Sequence, residues 1–290
     1  MMVVLALSSC AGMNSGRNNV TSGGPGIGID TATVNAIERA MAMDSIKTDS
    51  VSFSKTEGVY KVILTADYPV AGGDSVVKAV REFINDFTGN VYDGPLDDGL
   101  QLMNKNGEWQ FSNLQERSGE VDPDEVNELF IYKDVTKTYE TELLVSFSAN
   151  ASEYVGGIHG IGYEMGLTFS KLTGQRFGYE MMQNTETPAF KRLIKEGLKQ
   201  FFGPEGHEQD MSDEDLLQEL VSFGGSIDEL PLPDSDPYMT EKGIRFIYQP
   251  YEISYYAAGK PEFTIPYETV KPFLTPSALN LFLSPKSTQG

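Results

Sequence analysis

Hydrophobic positions along this chain follow two periods that take turns. From Val59 to Ala66, Tyr60, Val62, Leu64 and Ala66 occupy every second position, the period of a half-buried strand, which Tyr68-Pro69 should end. A short helix is expected before it, from Thr33 to about Met43. From Asp74 to Phe87 the period lengthens. Val76, Val77, Val80, Phe83, Ile84 and Phe87 share one helical face, and Lys78, Arg81, Glu82, Asn85 and Asp86 the other. Val91 to Gly107 is dominated by Gly, Asp and Asn and reads as a loop punctuated by Asp93-Gly94-Pro95 and Asp97-Asp98-Gly99. Alternation resumes at Glu128 to Tyr132 and at Glu140 to Ala149, where Leu143, Val145, Phe147 and Ala149 share a face. Tyr163 to Ser170 is the natural antiparallel partner.

The second half mixes the same periods in shorter pieces. Pro188 to Phe202 carries Phe190, Leu193, Ile194, Leu198 and Phe201 along one helical stripe. Ser212 can cap a short helix through Phe223, with Asp213, Glu214 and Asp215 in its first turn, where the helix dipole favours negative charge. Ile244 to Gln249 and Glu262 to Ile265 read as strands. Thr275-Pro276, a cap followed by proline at the first helical position, opens a last helix through Leu283. Helices and strands are mixed without the regular alternation that demands a parallel sheet. The expected fold is α+β: antiparallel sheet or sheets packed with helices, as two consecutive small domains or one composite body.

Composition adds a size and a charge. The 290 residues are 40% hydrophobic and only 22% charged, a globular profile at the upper end of a single domain's length and more comfortable as two. Acidic residues number 42 against 22 basic, a net charge of −20 that repels polyanions and excludes a general nucleic-acid binder. The asymmetry is concentrated from Gly203 to Glu241, which holds twelve acidic residues and no Lys or Arg.

The first ten residues change the picture again. Met1 to Cys10 is an apolar run too short to cross a bilayer, ending in small residues as a secretory signal does. Leu7-Ser8-Ser9-Cys10 fits the lipobox of bacterial lipoproteins, which makes Cys10, the only cysteine, the lipid attachment site; a chance cysteine is the plain alternative. Gly12 to Asp30, rich in Gly, Ser and Asn, suits a flexible tether of roughly 25 Å mean span. No other segment approaches the run of apolar residues that a transmembrane helix needs. The body is therefore expected to be held at a membrane surface outside the cytoplasm, in the periplasm or at the cell surface, with no disulfide to support it.

Candidate chemistry is sparse. The chain has two histidines, and any zinc site or Ser-His-Asp triad must use one of them. His159 lies between glycines with Glu153 and Glu164 near in sequence; it either presents its imidazole outward or, the reading favoured, is a turn histidine whose ring nitrogen bonds a backbone carbonyl. His207, in Gly206-His207-Glu208, reads as solvated loop. Tyr251, Glu252, Tyr255 and Tyr256 suit either a recognition surface for sugar rings or basic side chains, or packing over a sheet edge, and the two readings weigh equally. Asp234-Ser235-Asp236 beside Asp228 and Glu229 offers carboxylates to calcium but lacks the spacing and glycine of an EF-hand. No metal or cofactor is expected. The single Trp109 and the methionines read as packing residues.

Two segments carry a family resemblance. Tyr154-Val155-Gly156-Gly157-Ile158-His159-Gly160 with Thr173-Gly174-Gln175-Arg176, and Pro250-Tyr251-Glu252-Ile253-Ser254-Tyr255-Tyr256-Ala257-Ala258-Gly259 with Ile265-Pro266-Tyr267, resemble the signature runs of the RsiV-like C-terminal domain. Ser254, Tyr255 and Arg176 depart from its usual Ala, Pro and Lys. Ala66-Asp67-Tyr68-Pro69 and Phe83-Ile84-Asn85-Asp86-Phe87 resemble, less specifically, the domain found beside the catalytic module of the peptidoglycan deacetylase PdaC. The implied layout is a signal segment at 1–10, a tether at 11–30, a PdaC-associated-like domain at 31–140 and an RsiV-like domain at 141–290. RsiV-like anti-sigma factors bind lysozyme through this domain. The resemblance implies a lipid-anchored binding module that captures a lysozyme-type muramidase or another basic envelope ligand. Two alternatives stand: a cell-wall glycan hydrolase or deacetylase-related enzyme using His159 as base or metal ligand, and a structural lipoprotein that recognises peptidoglycan. Binding rather than catalysis is the expected role.

Overall fold

A computed structural model of the chain describes residues 45–119, 121–122, 126–204 and 211–283. Cys10, the tether, the helix expected from Thr33 and His207 all lie outside the described residues. Among these residues the fold is α+β, with eight strands in two sheets and six α-helices.

The first sheet has the order β1-β2-β3-β4-β5: β1 Lys47–Glu57, β2 Tyr60–Ala71, β3 Leu129–Glu140, β4 Leu144–Tyr154 and β5 Ile161–Ser170. Neighbours are antiparallel except β2 and β3, which run parallel and need a long crossover. Helices α1, Asp74–Thr88, and α2, Gly99–Arg117, supply it. They cover one face of the sheet and bury Val62, Leu64, Ile131, Val135, Phe147 and Leu167 with their own Val76, Val80, Ile84, Leu102 and Phe111. Removing each such side chain from water contributes about 1.5–3 kcal/mol. β2 runs on past Tyr68-Pro69 to Ala71, because Tyr68 and Pro69 sit opposite Asp49 and Thr48 of β1. Glu140 ends β3 and does not begin β4.

Helix α2 overturns the loop expected through Gly107. Asp98 supplies the start: its carboxylate accepts from the Gln101 amide at 2.9 Å. Gly107, a helix breaker by propensity, is needed by packing, since a Cβ there would fall 2.2 Å from the Phe53 ring on β1. Asn85, placed by its polarity on the outer face of α1, is buried. Its side chain meets that of Asn106 on α2, whose Nδ2 donates to Asn85 Oδ1 at 2.9 Å and to Thr88 Oγ1 at 2.7 Å. Asn106 Oδ1 in turn accepts from the Val91 and Tyr92 amides. A satisfied buried amide pair therefore fixes the α1–α2 connection.

The second sheet, β6-β7-β8, is small: β6 Tyr238–Met239, β7 Ile244–Ile247, β8 Glu262–Ile265. Helix α3, Pro188–Phe202, packs on it through Phe190, Ile194 and Leu198, and the core continues through Phe246, Tyr248 and Ile265. Thr187 caps α3, and Ser212 with Asp215 forms a capping box on α4, Asp213–Glu219. α4 ends at Glu219 and not at Phe223, which lies in the following turn. A four-residue helix α5, Tyr267–Val270, and helix α6, Pro276–Phe282, complete the chain, the latter capped by Thr275 as its sequence indicates. The acidic stretch does not stand unopposed: Lys195 and Lys199 of α3 reach Asp213 at 2.7 and 2.6 Å, and Lys195 lies 3.5 Å from Asp228.

The two sheets meet where Tyr238 of β6 lies over Gly166 of β5 and the Met239 amide donates to Thr168 Oγ1 at 2.8 Å. Thr168 and Ser146 are bonded to each other there, both fully buried. The division drawn at residue 140 falls in the turn between β3 and β4, which are paired neighbours within one sheet.

Candidate functional site

The described chain brings His159 to Tyr251 and Tyr256, some 92 residues later. The β4–β5 hairpin turns through Val155 to Gly160, and it is closed by residues that only this conformation accommodates. Gly156 has φ +105°, and a Cβ on it would meet Val121 at 2.4 Å. The Tyr154 hydroxyl donates to the Gly157 carbonyl at 2.9 Å. At the tip, Ile158 is fully exposed.

The long connection from β7 to β8 folds against this hairpin and is fastened along β5. Gln249 reads the Glu164 backbone on both sides, its Nε2 donating to the carbonyl at 2.7 Å and its Oε1 accepting from the amide at 3.2 Å. Lys260 reaches Glu164 Oε2 at 2.7 Å. Between these fasteners Tyr256 stacks on the His159 ring, centroids 4.1 Å apart and planes at 22°, and its hydroxyl donates to the Gly160 carbonyl at 2.7 Å. Tyr251 completes the group, 5.5 Å from Tyr256, with its ring half exposed.

Hydrogen bonding fixes the histidine tautomer. A carbonyl only accepts, so the Nδ1–H of His159 donates to the Gly160 oxygen at 2.8 Å; in the neutral ring Nε2 then accepts from the Tyr251 hydroxyl at 3.1 Å. Both nitrogens are engaged, Nδ1 by a backbone carbonyl and Nε2 by a tyrosine hydroxyl. Glu153, near in sequence, is held by the Arg117 guanidinium at 2.6 and 2.8 Å, and Glu164 by Lys260 and Arg245. The arrangement is an aromatic cluster held by hydrogen bonds, beside a fully exposed aliphatic tip. Tyr251 pays a local strain to join it, at φ +70° in the left-handed region that a bulky residue rarely enters.

Two of the candidate residues do not join the cluster. Glu252 turns inward, its oxygens accepting from the Asp234 and Gln249 amides at 2.7 and 2.6 Å, and burial pushes its carboxyl up. Tyr255 points toward α4, its hydroxyl donating to Glu219 at 3.0 Å. Asp236, in the candidate calcium loop, accepts from the Tyr179 amide and lies 3.4 Å from Arg176. Among the described residues no group of three or more His, Cys, Asp or Glu is placed to hold a metal ion. Trp109, read as a packing residue, is 41% exposed on α2. Sequence reasoning passed over Ile158 and Gln249. An isoleucine inside a glycine-rich turn is a legible sign of an exposed apolar tip, whereas nothing local marks Gln249 as the clamp.

A two-sheet α+β body with an exposed aromatic patch at its seam defines a class: a scaffold whose loops, and not a cavity lined with titrating groups, form the candidate site. Within it, residues 182–268 match the model of the family described as "Protein of unknown function (DUF3298)". Two solved structures share the fold. A DUF3298 family member from Bacteroides fragilis NCTC 9343 is 19% identical, with a TM-score of 0.63 over 81% of this chain and 98% of that one. A DUF3298 family protein from Pseudomonas aeruginosa PAO1 is 15% identical, with a TM-score of 0.55 over 83% and 99%. No curated protein matches the chain significantly. No helix among the described residues is long and apolar enough to cross a membrane.

Proposed function

We propose that this chain is an extracytoplasmic binding module, held at the membrane by a lipid on Cys10, whose seam patch of Ile158, His159, Tyr251 and Tyr256 takes a basic protein ligand, a lysozyme-type muramidase first among candidates. The observation that carries the reading is the His159–Tyr256–Tyr251 stack beside a fully exposed Ile158. An exposed isoleucine beside an exposed tyrosine offers an interface anchor, and tyrosines supply contact area at low entropic cost. The net charge of −20 supports a cationic partner through long-range steering, most strongly at low salt. The choice of muramidase rests on the resemblance of the Tyr154–Gly160 and Pro250–Gly259 runs to the RsiV-like domain.

The test is equilibrium binding of residues 31–290 to a cationic lysozyme and to an unrelated protein of similar charge, at two salt concentrations. The expected result is discrimination in favour of lysozyme that persists at the higher salt and falls about tenfold or more in Tyr251→Ala. Equal binding to both proteins would overturn the reading and leave the charge as a solubility feature. The half-exposed Tyr251 ring also suits the face of a sugar, which supports peptidoglycan as the second reading; cosedimentation with sacculi, abolished by the same substitution, would favour it.

A further inference from the structure

Strand β1 is the outer strand of the five-stranded sheet, and among the described residues no strand pairs with its free edge. Its two halves differ. The Phe53–Glu57 half is covered and guarded: Phe53 packs under α2, and Lys55 bonds Glu108 at 2.8 Å and lies over the Phe111 ring. Charged side chains of this kind are how edge strands refuse partners. The Thr48–Ser52 half has no lysine or arginine, and its one charged side chain is Asp49. It borders a cleft of about 570 Å³ formed with the end of β2 and the first turn of α2. Val51, Val70 and Leu100 supply its apolar lining, and Val70 and Leu100 are 47% and 58% exposed. Asp49, Asp97 and Asp98 supply its charge; among the described residues no Lys or Arg lines it, and none of the three aspartates is in an ion pair with another of them. Arg81, which lies 5.5 Å from the Tyr68 ring, donates to the Pro69 carbonyl and does not line the cleft.

We propose that this cleft is a second docking surface, independent of the seam patch, that receives an extended basic segment of a partner protein by strand addition to the Thr48–Ser52 edge of β1. The open backbone of an edge strand gives such a segment its hydrogen bonds, and alternate side chains give it specificity. On the cleft side those alternate positions meet Val51 and Leu100, which suit an aliphatic side chain, and Asp49 and Asp97, which suit lysine or arginine. An acidic segment would meet three aspartates without a counter-ion. A second copy of this chain, carrying the same aspartates on the same edge, would bring like charges together. A basic partner is the occupant that the charge selects.

The probe is a short capped peptide in which serine alternates with a second position that is valine and lysine in turn, so that one strand face reads valine, lysine, valine, lysine. Its control replaces every serine with proline and N-methylates every valine and lysine, keeping charge and length while removing all of the backbone N–H groups that a strand edge needs. Both are titrated against the full chain by calorimetry, with hydrogen exchange followed across Thr48–Ser52. Expected are about tenfold tighter binding of the serine peptide, slower exchange across Thr48–Ser52, and a loss of about tenfold in Leu100→Lys, whose exposed site tolerates the change. Asp97→Asn is expected to weaken the salt dependence, and Tyr251→Ala to leave the peptide untouched, which separates this surface from the seam patch. Equal affinity for the proline control, or indifference to Leu100→Lys, would overturn the proposal. So would a concentration-dependent dimer that protects the same amides, or full protection of those amides in the monomer without peptide, which would assign the edge to another part of this chain.

Discussion

The two halves of the molecule are built on different terms. The first sheet has strands of ten to twelve residues paired along most of their length, with register shifts only at Lys47–Thr48 and Lys137–Tyr139, and two long helices close one of its faces. The second has strands of two to four residues, and its core is held by one long helix, several caps and long connections. Long strands define themselves by repetition, whereas short ones depend on what they are packed against. The difference teaches how the candidate site is assembled: the β4–β5 hairpin comes from the half with long strands, and the irregular half lends the β7–β8 connection that folds against it.

The largest expected effect tests whether the second half stands without the first. A Cβ on Gly166 would lie 1.9 Å from the Tyr238 ring, so Gly166→Val must force β6 away from β5. Overpacking of this severity is expected to cost about 3 kcal/mol. The sole tryptophan, Trp109, lies on α2 and reports the first half, while circular dichroism reports both. If the halves form one cooperative unit, chemical denaturation moves both signals together in Gly166→Val; separation of the two curves would show that the first half unfolds on its own.

Acid should act first on the charged knot that ties the sheet's strand ends together. Glu140 accepts from the Ile46 amide, Ser45, Lys137 and Lys171. Burial raises its carboxyl, but those four donors outweigh burial and bring it down to about 2. A depressed carboxyl stabilises the fold fully above its unfolded value, near pH 4.5, and the contribution is lost as pH falls toward 2. Glu140→Gln is expected to cost about 2 kcal/mol at pH 7 and to flatten the acid limb of stability against pH. An unchanged acid limb would remove Glu140 from the account.

Lys133 gives the opposite sign. It stands on the helix-facing side of β3, donates to the Phe87 carbonyl at 2.7 Å, and burial lowers its pKa to about 8. The unfolded chain keeps the proton up to its ordinary value of 10.5, so stability should rise between pH 8 and 10.5 as the folded ammonium loses it. Lys133→Met is expected to be more stable than the parent at pH 7 by about 1 kcal/mol and to show no alkaline rise. Thermal melts at pH 7 and pH 10 read both.

How much of this was legible in the sequence follows the same contrast. The α1 stripe and the Pro188–Phe202 helix were plain because the helical period holds over many residues, and β4 with β5 because their alternation is long. Helix α2 was hidden by Gly99 and Gly107, whose presence records close approach to Tyr68 and Phe53, a tertiary fact that propensity cannot hold. β1 was missed because Ser and Thr fill its exposed positions and only Val51 and Phe53 mark its buried face. Of the candidate site, His159 and the tyrosines were each visible as unusual residues. Their union was not, since no local signal links positions 92 apart. Nor could sequence show that Glu252 and Tyr255, neighbours of Tyr251, would turn away from it.

The smallest expected change in stability carries the most information about the site. Tyr251 contributes a half-exposed ring but holds φ at +70°, so Tyr251→Gly removes the ring and relieves the backbone together. Loss of the hydroxyl bond to His159 and relief of strain nearly cancel, and the unfolding free energy is expected to change by about 0.5 kcal/mol or less in either direction. Tyr251→Ala keeps the strain and should be the less stable of the two by about 1 kcal/mol. If the ring exists to meet a ligand, both variants lose the same binding despite unequal stability. If it exists to hold the hairpin, binding follows stability and the glycine variant binds better. Measuring affinity and midpoint on the same two proteins separates recognition from support at one residue.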